Sequence, residues 1–132
     1  MLYDCHSIRS AIPRLFEGHL PHFNIGTNSG KSCDPALEAA VAAECAKTEY
    51  SHIVNGRFKG GYITRTYGQP AEKVHAIQME LACRGYLAEC AGPVAESQWP
   101  IPYDPEFAAP MRAALGKVLN ACLDFAKTKQ RA

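Results

Sequence analysis

Long apolar runs are missing from this chain. No stretch of about 18 consecutive apolar residues occurs, which excludes a membrane-crossing helix. The first ten residues, "MLYDCHSIRS", carry neither a basic leader nor an extended apolar segment, so a cleaved export signal is not expected. An excess of one charge sign is missing too: 14 Lys and Arg face 13 Asp and Glu, a net charge of +1. That balance gives no electrostatic footing for nucleic acid or an anionic membrane. The densest basic stretch, "KTKQR" near the C-terminus, reads as a solvated helix end. CxxC, HExxH, GxSxG and GxxxxGK[ST] are absent as well. With them go the short signatures of a paired-cysteine site, a helical zinc protease, a serine hydrolase and a phosphate-binding loop.

What is there fits one α/β domain. The 132 residues suffice for a single core and not for two. Six cysteines without CxxC spacing or an export signal are expected to be reduced thiols in a cytoplasmic protein. Residues 1–4 read as a strand and "FNIG" as a second. Asp34 is an N-cap candidate with Pro35 at the first helical position, followed by an alanine-rich helix with Leu37, Val41 and Cys45 four apart. "YSHIVNG", "YITRTYG" and "VHAIQMEL" read as three further strands. A last helix carries Leu115, Val118, Leu119, Cys122 and Phe125 on one stripe, with its start expected at Pro110. The expected architecture is a mixed sheet with flanking helices. Two substantial helices are few for a sheet with two faces to cover.

Three stretches hold groups that carry chemistry. Asp4, Cys5, His6 and Ser7 follow an apolar strand, where α/β sheets collect functional groups. His6 suits a zinc ligand with Asp4 orienting its ring, although position alone favours a histidine bonded locally at a strand end. Cys5 as a nucleophile needs a base from another element and a lowered pKa. In "NGRFKGGYITRTYG", Arg57, Lys59 and Arg65 lie among glycines that let a backbone approach a ligand. They suit a grip on carboxylates, or a solvated hairpin. Strand alternation would put Ile63 and Arg65 on one face. Glu80 follows an apolar strand as His6 does and suits a general base toward water, or an exposed strand-end acid. Gln78 shares its face, and Arg84 is a candidate counter-ion. His19, His22, His52 and His75 rank lower, and three or four metal ligands cannot be assembled from the chain.

Together, "YDCHSIRSAIPRLFEG", "FNIGTNSGKSCDP", "VNGRFKGGYITRTYGQP" and "HAIQMELACRGYL" resemble the C-terminal half of the N-formylglutamate amidohydrolases, also called deformylases. The resemblance runs from about residue 2 to the last helix, and its motifs are long and in order. It implies part of an α/β/α sandwich like that of the zinc carboxypeptidases and aspartoacylases. It implies hydrolysis of N-formyl-L-glutamate to formate and L-glutamate, the last step of one histidine degradation route. His6 matches a metal ligand, with zinc the expected ion; Glu80 matches the acid that activates water. Arg57, Lys59 and Arg65 match the basic stretch near the substrate carboxylates. Family members are roughly twice this length. Residues 1–132 are therefore expected to form a single partial domain lacking the half that bears the other metal ligands. Such a piece is expected to be inactive alone, and to self-associate or to need a complementing N-terminal half. Two other readings stay open: a non-catalytic module that folds by pairing, and a cysteine hydrolase built on Cys5.

Overall fold

The computed structural model of the chain describes residues 1–90 and 94–130. Among them, β1 (Leu2–Ile8), β2 (Phe23–Gly26), β3 (His52–Val54) and β4 (Ala76–Ala82) form one sheet in the order β1-β4-β2-β3. β4 runs parallel to β1 and antiparallel to β2, and β2 runs parallel to β3. The sheet is thus mixed and open, with β1 and β3 at its edges. Helices α1 (Pro35–Ala46), α2 (Tyr62–Tyr67) and α3 (Pro105–Gln130) complete the fold. The expected class, a mixed sheet with flanking helices, is the class observed.

Side chains alternate between the faces of a strand, and here the faces differ in chemistry. Ile77 and Met79 of β4, with Phe23 and Ile25 of β2, join Leu37, Val41 and Cys45 of α1 in one core cluster. Met111, Ala114, Val118, Cys122 and Phe125 of α3 complete it. Each such apolar side chain stabilises the fold by about 1.5–3 kcal/mol when fully buried. Both long helices therefore cover the same face. The other face presents Asp4 and His6 from β1, Gln78 and Glu80 from β4, and Asn24 and Gly26 from β2. The short α2 and the loop before it lean on that side, and Asn24 Nδ2 donates to the Pro21 carbonyl there at 2.7 Å.

Local chemistry explains the helix starts. Asp34 accepts a bond from the Ala36 N–H at 2.8 Å, and Pro35 opens α1. Leu37, Val41 and Cys45 then fall on its buried side. The same pairing recurs at Asp104-Pro105. Asp104 accepts from the Glu106 and Phe107 N–H groups at 2.9 and 3.2 Å, so α3 begins at Pro105, five residues before the expected Pro110. Pro110 lies inside the helix. It removes one backbone donor, but the helix continues because Ala108, Met111 and Ala114 are held in the core. On the stripe expected for α3, Val118, Cys122 and Phe125 are buried, whereas Leu119 is exposed. The end of "KTKQR", Arg131, lies outside the described residues.

Two other expectations change. "YITRTY" is helix α2, not a strand. Its β-branched and aromatic composition favours a strand, but tertiary packing overrides that preference. Thr64 is fully buried, and Gly68 lies against Ser32 so closely that an added Cβ would meet its Cβ at 2.4 Å. On a helix, residues two apart do not share a face, so Ile63 and Arg65 diverge. His6 and Glu80 also lie within β1 and β4, which extend to Ile8 and Ala82, not beyond the ends of strands.

All six cysteines are unpaired. Burial raises the Cys33 and Cys122 thiols to about 11 and Cys45 to about 12, and raises Cys83 as well. Cys5 and Cys90 are exposed. A thiol reagent at pH 8 should therefore titrate two cysteines rapidly in the native chain and six in denaturant. Rapid native reaction of four or more would contradict this packing.

Candidate active site

Register builds the site as two rows across the uncovered face. Asp4, Gln78 and Gly26 stand side by side, and so do His6, Glu80 and Asn24. The loop before α2 closes over the first row. Gly26 permits this: a Cβ there would lie 2.5 Å from the Gly60 nitrogen. Asn28 N–H donates to the Lys59 carbonyl at 2.6 Å, and Gly61 N–H donates to Gln78 Oε1 at 2.5 Å. The loop is thereby pinned to the turn after β2 and to β4 itself.

The result is a cleft of about 550 Å³ lined by His6, Arg57, Phe58, Lys59, Gly60, Gly61, Arg65, Gln78 and Glu80. All five residues singled out from the sequence thus meet in one cavity, although they come from β1, β4, α2 and a loop. Arg57 Nε donates to the Leu15 carbonyl at 3.0 Å, and its guanidinium lies 5.8 Å from the Phe58 ring centre. Arg65 Nη1 donates to the Gly60 carbonyl at 2.8 Å. Neither arginine, nor Lys59, forms an ion pair among the described residues. Three uncompensated cations at one mouth favour an anionic ligand.

Glu80 is buried, not the exposed strand-end acid of the alternative reading. Burial pushes its carboxyl above the ordinary carboxylate range; His6 opposes the shift and Asp4 adds to it. Gln78 Nε2 donates to its Oε2 at 3.3 Å, and Asn24 Nδ2 donates to its backbone carbonyl at 3.1 Å. Asn24 was not singled out from the sequence. The signal was available, since a polar residue inside the apolar "FNIG" must face away from Phe23 and Ile25. A buried carboxyl with a raised pKa in a cleft is a proton-transfer candidate.

His6 contacts Asp4 through Nε2 and Oδ1, 3.0 Å apart. A carboxylate only accepts, so in the neutral ring Nε2 holds the proton and Nδ1 keeps the lone pair. That carboxylate–imidazole pairing is how ligating histidines are commonly oriented. It fits one metal-ligand position and no more. No group of three His, Cys, Asp or Glu side chains suited to a metal exists among the described residues.

Cys5 points to the opposite face of β1, in a second cavity that includes Tyr86, Met111 and Leu115. Burial and Asp4 raise its thiol pKa, and its bond is to the Tyr3 carbonyl at 3.9 Å. Those properties oppose a nucleophilic role. Of the other histidines, His75 is buried and accepts from the Asp34 N–H, while His22 pairs with Ser51. His19 and His52 are exposed. The Arg84 N–H donates to Ser10 Oγ at 3.1 Å.

Residues 1–87 match the family model described as N-formylglutamate amidohydrolase. The chain is 49% identical over 130 residues to the N-formylglutamate deformylase of Pseudomonas aeruginosa, covering 98% of this chain and 46% of that protein. It is 48% identical over 124 residues to the N-formylglutamate deformylase of Pseudomonas putida, covering 93% and 43%. It therefore spans less than half the length of these relatives. Its fold superposes on the crystal structure of an N-formylglutamate amidohydrolase from Ralstonia eutropha with a TM-score of 0.70 at 24% identity, covering 98% of this chain and 44% of that one. That neighbour has the zinc-carboxypeptidase-like architecture.

The contact between Gly26 and the loop makes a sharp prediction. Gly26→Ala should destabilise the chain by about 1–3 kcal/mol, as overpacking does, and urea unfolding will measure it. An unchanged midpoint would mean that the loop does not close onto β2.

Proposed function

The chain belongs to the N-formylglutamate amidohydrolase family, and on that premise we propose that its cleft serves the hydrolysis of N-formyl-L-glutamate to formate and L-glutamate. The observation that carries this reading is the convergence in one cavity of a buried carboxyl and three cations that form no ion pair among the described residues. The substrate offers two carboxylates and one formamide. Arg65, with Arg57 and Lys59, grips the carboxylates and sets the formyl carbon near Glu80. Glu80 takes a proton from the attacking water and delivers it to the departing nitrogen as the C–N bond breaks. Formate and the free amine of glutamate result. General acid–base help of this type contributes about 10²–10⁴-fold.

His6, oriented by Asp4, is the donor this chain would offer a divalent ion, zinc in our reading. Such an ion would supply Lewis-acid polarisation of the formyl group. The remaining ligands would come from outside the described residues, in a complementing half of the domain. β1, an edge strand of the sheet, is where such a half would pair, because unpaired strand edges recruit strands. Among the described residues His6 and Asp4 offer one metal-ligand position, and the second reading is a module that does not turn over by itself.

Formate release and metal content test the two readings. The chain alone should bind less than about 0.1 equivalent of zinc by elemental analysis, a single donor being too few for a stable site. Addition of the N-terminal half of the Pseudomonas aeruginosa relative should bring metal and turnover together. In that complex, Glu80→Gln should cut turnover by about 10²–10⁴-fold with metal retained, and Arg65→Ala should mainly raise KM. Turnover unaffected by Glu80→Gln would remove Glu80 from the reaction.

A further inference from the structure

One peptide group stands between the cation and the acid of this cleft. The carbonyl of Gly60 accepts from Arg65 Nη1 at 2.8 Å. The N–H of Gly61, on the other side of the same peptide plane, donates to Gln78 Oε1 at 2.5 Å. Gln78 Nε2 donates to Glu80 Oε2 at 3.3 Å. The direction of this chain is forced. A backbone N–H only donates, so the Gln78 oxygen must face Gly61 and its NH₂ must face Glu80.

The surroundings hold the peptide in place. Gly60 has φ +112°, and a Cβ there would meet Thr64 Cγ2 at 2.8 Å. A Cβ on Gly61 would lie 3.2 Å from Gln78 Oε1. Gln78 is 4% exposed, so water competes little for its amide. Successive hydrogen bonds in such a setting polarise one another.

We propose that Gln78 is a positioning residue that ties the Gly60–Gly61 peptide, and through it Arg65, to the Glu80 carboxyl. The proposal rests on the reading of Arg65 as carboxylate grip and Glu80 as proton carrier. Its consequence is a fixed spacing between the two: a substrate held by Arg65 is placed against a Glu80 oxygen that Gln78 leaves free. Loss of the Gln78 amide lets the loop and the acid move independently.

NMR of the ¹⁵N-labelled 132-residue chain tests this without catalysis, read at the Gly61 amide and the Gln78 side-chain NH₂. Gln78→Met removes both contacts and should speed Gly61 amide exchange about tenfold, the worth of one buried hydrogen bond. Gln78→Glu keeps an acceptor for Gly61 and should restore its protection. Glu80→Gln, two bonds away, should shift both the Gln78 NH₂ and the Gly61 amide signals. Unchanged Gly61 exchange in folded Gln78→Met, or a Gly61 signal indifferent to Glu80→Gln, overturns the proposal. If Gln78→Met does not fold, the other two variants decide. Relay signals that behave as expected beside formate release indifferent to Glu80→Gln would sink the proposed reaction and leave the relay standing. The opposite pattern sinks the relay alone.

Discussion

Everything in this fold hangs on the alternation of β4. It is a central strand, paired with β1 on one side and β2 on the other. Ile77 and Met79 face the two long helices, while Gln78 and Glu80 face away from them. A shift of one residue in its register would exchange these sets. It would put a carboxyl and an amide into the hydrophobic core and two apolar side chains into the cleft. The same register that stabilises the core therefore aligns Glu80 with His6 and Asn24, and Gln78 with Asp4 and Gly26. Packing and chemistry are two sides of one strand.

The polar face carries costs that a purely structural surface would avoid. Glu80 is buried and its proton is held more tightly than in water. Asp4 Oδ2 and Asn24 Oδ1 are buried without a hydrogen-bond partner among the described residues. Each such group costs about 1–3 kcal/mol. Opposite them, Arg57, Lys59 and Arg65 bring positive charge without ion-pair partners among the described residues. Acids lie deep on the strands and cations on the rim, an arrangement that favours an anionic ligand. Among the described residues, no helix is long and apolar enough to cross a membrane.

Much of this was legible in the residues, and the exceptions have physical causes. β2 is the strand read from "FNIG", and Asp34-Pro35 starts α1 as the capping chemistry predicts. At Asp104-Pro105 the same signal was overlooked in favour of Pro110, because a proline inside a helix is ordinarily a breaker. "YITRTY" misled because six residues are too few for periodicity to separate helix from strand. The buried Thr64 and the tight contact of Gly68 with Ser32 decided between them. His6 and Glu80 were placed at strand ends, since a polar residue after an apolar run looks like a terminus. They lie inside strands because one sheet face is free of the long helices, a fact no local window contains.

Reading residues in chain order is enough to name the groups that are available. These are one imidazole two residues from an acid, one acid in an apolar strand, three cations among glycines, and the long ordered motifs that resemble a deformylase family. Local rules reach that far, because capping, alternation and motif spacing act between neighbours in the chain. Long-range strand pairing makes His6 and Glu80, 74 positions apart, register partners. The tertiary structure also sent both long helices to the face opposite them, and turned Cys5 away from the cleft. Above all, it closed the Gly60–Gly61 peptide between Arg65 and Gln78. Those outcomes depend on parallel pairing and on a glycine-permitted contact between distant segments. Such pairings are selected by the burial of the whole core and not by any stretch of sequence alone.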